Sequence, residues 1–317
     1  MKAKIHKKPL KHFLSITDLS AKEILSILSL SQKLKKELKE EDSNKELLKG
    51  ETLAMIFEKP SLRTRLSFEI GMTQLGGHAI YLAPADIGLN TREPAEDVAQ
   101  VISSMADLIM ARTFKHETIE KLAANSLVPV INALSDLEHP CQILADMLTI
   151  LEVKRKLKGL SIAYVGDCEN NVTHSLCLSC AILGINFSTA SPHGYEIKKE
   201  ILEKAKKLAG KKSRITETSR PQEAVINADV VITDTWISMG DEAEKEKRLR
   251  IFKPYQVNKK LMSRAKKDAI FMHCLPAYRG NEVTSEVIDG KQSVVFQEAE
   301  NRLHAQKALI LYLLNYN

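Results

Sequence analysis

Short apolar runs rich in Val, Ile and Leu alternate along the chain with longer stretches in which apolar residues recur every three or four positions. The short runs predict strands at Thr52–Phe57, Ala79–Leu82, Leu108–Ala111, Val128–Asn132, Ser161–Val165, Asn186–Ala190, Val230–Thr233, Ile270–His273 and Ser293–Phe296. The periodic stretches predict helices at Leu66–Leu75, Pro94–Met105, Ile143–Lys156, Ile197–Ala209 and Asn258–Ala265. Strands separated by helices imply βαβ crossovers and parallel sheets covered on both faces. The strands fall into two groups, before and after a long helix that starts near His139. The expected fold is therefore α/β, with two doubly wound parallel-sheet domains and an active-site cleft between them. Ligands of open α/β sheets bind beyond the carboxyl ends of the strands, so the residues just after each strand are the functional candidates.

The length agrees, since 317 residues at about 150 per domain suggest two domains. A composition of 44% hydrophobic and 27% charged residues excludes a disordered, collagenous or disulfide-stapled chain. The charge balance is 46 basic against 40 acidic residues, a net +6 that would attract an anionic polymer only if clustered. The densest region, Lys198–Arg214, mixes Lys with Glu and reads as a solvated helix face, so no nucleic-acid partner is expected. Five scattered cysteines suit a reducing compartment. Cys177 and Cys180 form a CxxC without a second pair, inside the apolar run Ser175–Leu183, and read as small core residues. No apolar stretch reaches the ~18 residues needed to span a bilayer, and the basic first eleven residues lack a signal-peptide apolar region. The expectation is a cytoplasmic protein without a membrane partner.

The strongest chemical signal follows the first strand. Thr52–Phe57 leads into Glu58-Lys59-Pro60-Ser61-Leu62-Arg63-Thr64-Arg65 and then into a helix. The first N–H groups of a helix lack intrahelical partners and the helix dipole is positive there, which suits an anion. Ser61 and Thr64 can add hydroxyl donors, and Arg63 can fork two hydrogen bonds onto phosphate oxygens. Spacing alone equally fits a capped helix with surface arginines. The other strand ends tip the balance. Leu108–Ala111 ends in Arg112-Thr113, Val128–Asn132 leads to His139-Pro140-Cys141-Gln142, and Ile270–His273 runs into Cys274-Leu275-Pro276-Ala277-Tyr278-Arg279-Gly280. A donor or polarisable group stands at each.

Ser61-Leu62-Arg63-Thr64-Arg65, Arg112-Thr113, His139-Pro140-Cys141-Gln142, Asp234-Thr235-Trp236-Ile237-Ser238-Met239-Gly240 and His273-Cys274-Leu275-Pro276-Ala277 resemble, in order, the motifs of the aspartate/ornithine carbamoyltransferase family. The Ser-Met-Gly and His-Cys-Leu-Pro segments are its ornithine-type markers, and the resemblance runs from Phe13 to the final helix. One departure is Leu62, where Thr is commoner. Its backbone N–H still serves an anion, but a hydroxyl is lost.

The resemblance implies transfer of a carbamoyl group from carbamoyl phosphate to the δ-amine of L-ornithine, giving L-citrulline and phosphate, a step of arginine biosynthesis. It implies that Ser61, Leu62, Arg63, Thr64 and Arg112 bind the phosphate group. Arg112, His139, Gln142, Cys274 and Leu275 would surround the carbamoyl end, joined by Arg302. Asn171 would contact the ornithine carboxylate and Asp234 its α-amino group, with Ser238 and Met239 adding contacts; Arg112, His139, Asp234 and Cys274 form the catalytic set. It implies direct attack by the amine and no acyl-enzyme on Cys274. It also implies a homotrimer or an assembly of trimers, and a carbamoyl-phosphate domain at 1–140, completed by 300–317, beside an ornithine domain at 141–299. The chemistry needs no cofactor, and no residue set shows metal-ligand spacing. Asn171 taken alone would read as a helix cap and Asp234 as a turn residue. Segment Ser238–Arg250, polar after Gly240, reads either as a solvated helix with i,i+4 pairs or, by the resemblance, as a lid over ornithine. Aspartate as acceptor would need cationic side chains where Asp234 and Ser-Met-Gly stand. Putrescine would leave Asn171 and Asp234 idle, and N-acylation would remove the ammonium group that Asp234 is expected to hold.

Overall fold

The structure, a computed structural model, describes residues 11–237 and 242–316. Its longer helices are α1 (Ala21–Glu41), α2 (Leu62–Gln74), α3 (Ala95–Ser103), α4 (His116–Asn125), α5 (Pro140–Lys154), α6 (Asn171–Leu183), α7 (Lys199–Ala209), α8 (Lys245–Phe252) and α9 (Val295–Leu313). The strands are β1 (Thr52–Phe57), β2 (His78–Leu82), β3 (Leu108–Arg112), β4 (Val130–Leu134), β5 (Ser161–Val165), β6 (Asn186–Ala190), β7 (Ile215–Thr218), β8 (Val230–Ile232) and β9 (Ile270–Met272). None of the described helices is long and apolar enough to cross a membrane.

The chain divides into two compact units. The first runs to Cys141 and resumes at Arg302; the second is Gln142–Asn301. The first unit holds a parallel sheet in the order β2-β1-β3-β4. The second holds a parallel sheet in the order β7-β6-β5-β8-β9. Every residue of β3 and β4 is buried, as a sheet covered on both faces requires, whereas edge strand β2 is half exposed. Helix α6 is buried nearly all round, with Cys177 and Cys180 fully enclosed. Helix α7 instead buries only Ile201, Ala205 and Ala209, spaced four apart, and turns its lysines outward.

In each sheet the strand order reverses once. In the first unit β1 connects outward to β2 while β3 lies on its other side, so the C-terminal ends of β1 and β3 form the switch point. In the second unit the ends of β5 and β8 do so. Crevices at such points are where open α/β sheets bind ligands. Gly166, just after β5, has φ +136, and an added Cβ would lie 3.3 Å from Thr233 Oγ1 and 3.5 Å from Trp236 Nε1. Glycine lets these two chain ends pass closely.

Several elements differ from the sequence pattern. Ser293–Phe296 is not a strand: Ser293 makes a single bridge to Phe271, and Val295 opens α9 because polar helix formers follow it without a breaker. β4 begins at Val130 rather than Val128, since Pro129 has no N–H to give the ladder. α2 begins at Leu62 rather than Leu66, so the anion motif is itself the first turn. The helix expected over Asn258–Ala265 shrinks to Lys259–Met262, capped by Asn258. β7 escapes the pattern because Ile-Thr-Glu-Thr is mostly exposed at a sheet edge.

Candidate active site

In the first unit, Ser61 caps α2, and its hydroxyl accepts from the Thr64 N–H at 3.3 Å. The first turn of α2 contains no acidic residue, so its positive end is not neutralised from within. Leu62 is 68% exposed at this turn, Arg63 is half-buried and Thr64 is buried. Arg302, from α9, brings Nη2 to 3.5 Å from Thr64 Oγ1. Arg112 ends β3 beside Phe57 of β1, and the register slips between Ala111 and Arg112 so that Arg112 pairs with Leu134. Such an irregularity at a strand end re-aims the side chain that follows it. Arg112, His139 and Arg302 are all buried.

Electrostatics show that these residues form one cluster. Burial pushes the His139 imidazole well below its usual range, and Arg302, Arg112, Lys59 and Arg63 push it further. His139 is therefore neutral, surrounded by four cations. Lys59 is the residue the sequence reading missed. It is buried, lies 4.9 Å from the Phe114 ring centre, and has its ammonium pKa lowered first by burial and then by Arg112. The signal was there, because Lys59 stands two positions after the end of β1. Cations held together against their own repulsion, beside an unneutralised helix end, are preorganised for a small multiply charged anion.

In the second unit, Asn170 rather than Asn171 caps α6: its Oδ1 accepts from the Thr173 N–H at 2.8 Å, and its amide donates to Tyr164 Oη at 2.8 Å. Asn171 is the first helical residue, after the loop from β5. Asp234, just past β8, accepts from the Thr235 N–H at 2.8 Å and from the Cys274 thiol at 3.2 Å. Burial raises the Asp234 pKa, and His273, the thiol and that N–H pull it partly back. Burial, then Asp234, drives the Cys274 thiol well above its ordinary range, so Cys274 is a protonated donor and not a thiolate. His273 Nδ1 accepts from the Leu275 N–H at 2.9 Å, which leaves Nε2 as the protonated nitrogen facing Glu282 Oε1 at 3.3 Å. Leu275 itself has φ +58, unusual for a branched residue, and is held there by that hydrogen bond.

Asp234, His273 and Cys274 bring ligand-type atoms within 4.8 Å of one another. As arranged, though, the thiol proton goes to Asp234 and both imidazole nitrogens are engaged, so the trio is a hydrogen-bonded set. Gln142 lies in the second unit, its amide nitrogen donating to Asp146 Oδ1 at 2.9 Å and Glu298 Oε1 at 3.2 Å. Buried Arg248 of α8 binds the Trp236 carbonyl at 2.5 Å and pairs with the buried Asp167 carboxylate, stacking over Tyr195 and Phe252. Ser238 and Met239 lie outside the described residues, as does part of the expected lid. Arg279 does not join the site; it pairs with Asp289 at 2.6 Å on the surface.

Residues 11–152 match the carbamoyl-P binding domain of aspartate/ornithine carbamoyltransferase, and residues 158–313 match that family's Asp/Orn binding domain. The ornithine carbamoyltransferase of Methanosarcina acetivorans is 56% identical over 301 residues, 95% of this chain and 98% of its own. That of Bacillus subtilis is 52% identical over 305 residues, 96% of this chain and 94% of its own. Among solved structures, ornithine carbamoyltransferase from Pyrococcus furiosus superposes with a TM-score of 0.93 at 48% identity, covering 97% of this chain and 98% of that one. Anabolic ornithine carbamoyltransferase from Campylobacter jejuni gives 0.91 at 46% identity, covering 97% and 100%.

Proposed function

The chain belongs to the aspartate/ornithine carbamoyltransferase family, and from its two sets of buried polar side chains we propose that it transfers the carbamoyl group of carbamoyl phosphate to the δ-amine of L-ornithine, releasing L-citrulline and phosphate. The observation that carries this reading is the group of Lys59, Arg63, Arg112 and Arg302 around a neutral, buried His139. Ser61, Leu62, Arg63, Thr64 and Arg112 are assigned the phosphate. His139 and Arg112 are assigned the carbamoyl oxygen, and Gln142, Cys274 and the Leu275 carbonyl the carbamoyl nitrogen.

In the proposed reaction the neutral amine forms a C–N bond to the carbamoyl carbon. The C–O bond to phosphate then breaks with its electron pair leaving on oxygen, and the proton shed by the amine ends on the departing phosphate. Negative charge grows on the carbonyl oxygen of the tetrahedral intermediate and then on phosphate. Fixed cations and a neutral imidazole N–H stabilise both more than they stabilise the ground state. A neutral His139 donates a hydrogen bond without competing with the amine as an acid. Cys274, held as a thiol by Asp234, orients and does not attack.

In the second unit Asn171 is assigned the ornithine carboxylate and Asp234 its α-ammonium, with Ser238 and Met239 completing the acceptor site. A buried carboxylate whose charge is opposed by its surroundings gains from a cation brought in with the substrate. We assign the first unit, which runs to Cys141 and resumes at Arg302, to carbamoyl phosphate and the second, Gln142–Asn301, to ornithine, each within two residues of the domains 1–140 with 300–317 and 141–299 expected from sequence. We assign the protein to arginine biosynthesis and to the cytoplasm, the five scattered cysteines fitting a reducing compartment. A homotrimer, alone or in larger assemblies, is supported by an apolar stripe on α2: Leu62, Leu66 and Ile70 are 68%, 45% and 40% exposed, and Ile80 of edge strand β2 is 43% exposed.

The test supplies carbamoyl phosphate with ornithine, putrescine, acetylornithine or aspartate in separate reactions and measures product. Ornithine is expected to react fastest, giving citrulline. Absence of citrulline, or faster reaction of another amine, overturns the assignment.

A further inference from the structure

Two buried acids lie behind Gln142 in the second unit. The Gln142 amide nitrogen donates to Asp146 Oδ1 at 2.9 Å and to Glu298 Oε1 at 3.2 Å, and the other oxygen of Glu298, Oε2, accepts the backbone N–H of His273 at 3.0 Å. Asp146 comes from the next turn of α5, Glu298 from the first turn of α9, and His273 from the residue after β9. Gln142, Asp146 and Glu298 are each 1% exposed, and His273 is fully enclosed. Burial, and next the Asp146 charge, raise Glu298 well above the ordinary carboxylate range.

This arrangement decides which end of an amide faces outward. The oxygen and nitrogen of Gln142 have nearly the same shape, and only neighbours set their order. With acceptors of the acid pair taking its nitrogen, Gln142 presents its carbonyl oxygen. A carbonyl oxygen accepts from an N–H donor and repels a phosphate or carboxylate oxygen. The same Glu298 fixes the His273 backbone from which Cys274 and Leu275 follow.

We propose that Asp146 and Glu298 are positioning residues that set the amide polarity of Gln142 and the His273–Leu275 backbone so that both recognise the carbamoyl N–H₂ end of the donor. This rests on the carbamoyl-transfer reading above and extends it. Neither acid touches the substrate, and both act through Gln142 and His273. The pair discriminates a carbamoyl from an acyl or purely inorganic phosphate, because only the carbamoyl group offers N–H donors to that oxygen.

The test is a double-mutant cycle with Asp146→Asn, Glu298→Gln and the pair together, read as kcat/KM for carbamoyl phosphate and as competitive inhibition by inorganic phosphate. Each single variant leaves one acid to accept from the Gln142 nitrogen, so each is expected to lose about fivefold, the worth of one neutral hydrogen bond. Two amides crowd several donors around too few acceptors, and the double variant is expected to fall below the product of the single losses by at least about tenfold. The inhibition constant of phosphate, which has no carbamoyl nitrogen, is expected to stay within about twofold of the wild-type value throughout, since the affected bonds are not made to it. Losses that simply multiply, or a phosphate constant that rises in step, overturn the proposal. If the double variant does not fold by circular dichroism, the singles decide. A raised KM for carbamoyl phosphate with phosphate inhibition unchanged supports the pair, and parallel changes reject it. A wild-type protein that makes no citrulline rejects the underlying reaction, whereas active wild type with indifferent variants rejects only this inference.

Discussion

The Cys274 thiol donates to the Asp234 carboxylate across 3.2 Å, with both side chains in the second unit. The proton is held there from both sides: burial and the Asp234 charge oppose forming a thiolate, and the carboxylate gains a donor. Cys274→Ser preserves a donor but shortens its reach. It is expected to raise the KM for ornithine more than that for carbamoyl phosphate, with about a tenfold loss in kcat/KM, a hydrogen bond to a charged group being worth ~1.5 kcal/mol or more. Mass spectrometry of the wild-type enzyme quenched in turnover is expected to find no acylated cysteine. An isolated thioester would refute direct attack by the amine.

Arg63 stands in the first turn of α2, among the cations that depress His139. Arg63→Ala removes one preorganised donor from a developing negative charge, so kcat is expected to fall about 10²–10³-fold, equivalent to ~3–4 kcal/mol. Because the side chain is half-buried at a helix end rather than in the core, thermal unfolding is expected to change little. Turnover within a few-fold of wild type would strike Arg63 from the phosphate site.

Arg248 and Asp167 form a buried ion pair that ties α8 to the loop between β5 and α6. Arg248 also holds the Trp236 carbonyl, so it spans the chain on both sides of Ser238 and Met239. Arg248→Met keeps the stacking bulk against Tyr195 and Phe252 but strands the Asp167 charge, which is expected to cost about 3–5 kcal/mol. Urea denaturation measures that loss. Since Asp167 lies in the loop that leads into Asn171, the ornithine KM is expected to rise while phosphate inhibition against carbamoyl phosphate is unchanged. A variant as stable as wild type would show that the pair contributes nothing.

The elements most legible in sequence are those with one unambiguous period. β1 and β5 have the limits that their apolar runs define, because past the first residue of each the strand is apolar and buried on both faces. Edge strand β7 and the apolar start of α9 were not legible, the first because edges tolerate polar residues and the second because Ser-Val-Val-Phe suits a strand or a first helical turn equally. In the site, the residues after strand ends were visible as chemistry out of place. Asp146 and Glu298 were not, since a carboxylate one turn along a helix from a polar residue resembles a solvated face until tertiary structure buries it. Lys59 did carry a signal, its place two positions past the end of β1, but its burial shows only in the fold.

His139 supplies a test by acid. Its imidazole has a usual pKa of 6.5 and is depressed in the folded protein by burial and by Arg302, Arg112, Lys59 and Arg63. The unfolded chain therefore binds a proton at higher pH than the folded one. Stability from a neutral His139 is fully present above pH 6.5 and is lost as the pH falls through the lower folded value. His139→Gln keeps a polar side chain that does not titrate. In a buffer free of phosphate, the wild-type advantage in melting temperature over this variant is expected to shrink steadily below pH 6.5. If His139 were a cation in the resting protein, its folded pKa would be raised and the advantage would instead grow on acidification. A bound dianion reverses part of the depression, so adding phosphate at low pH is expected to restore stability to the wild type more than to the variant.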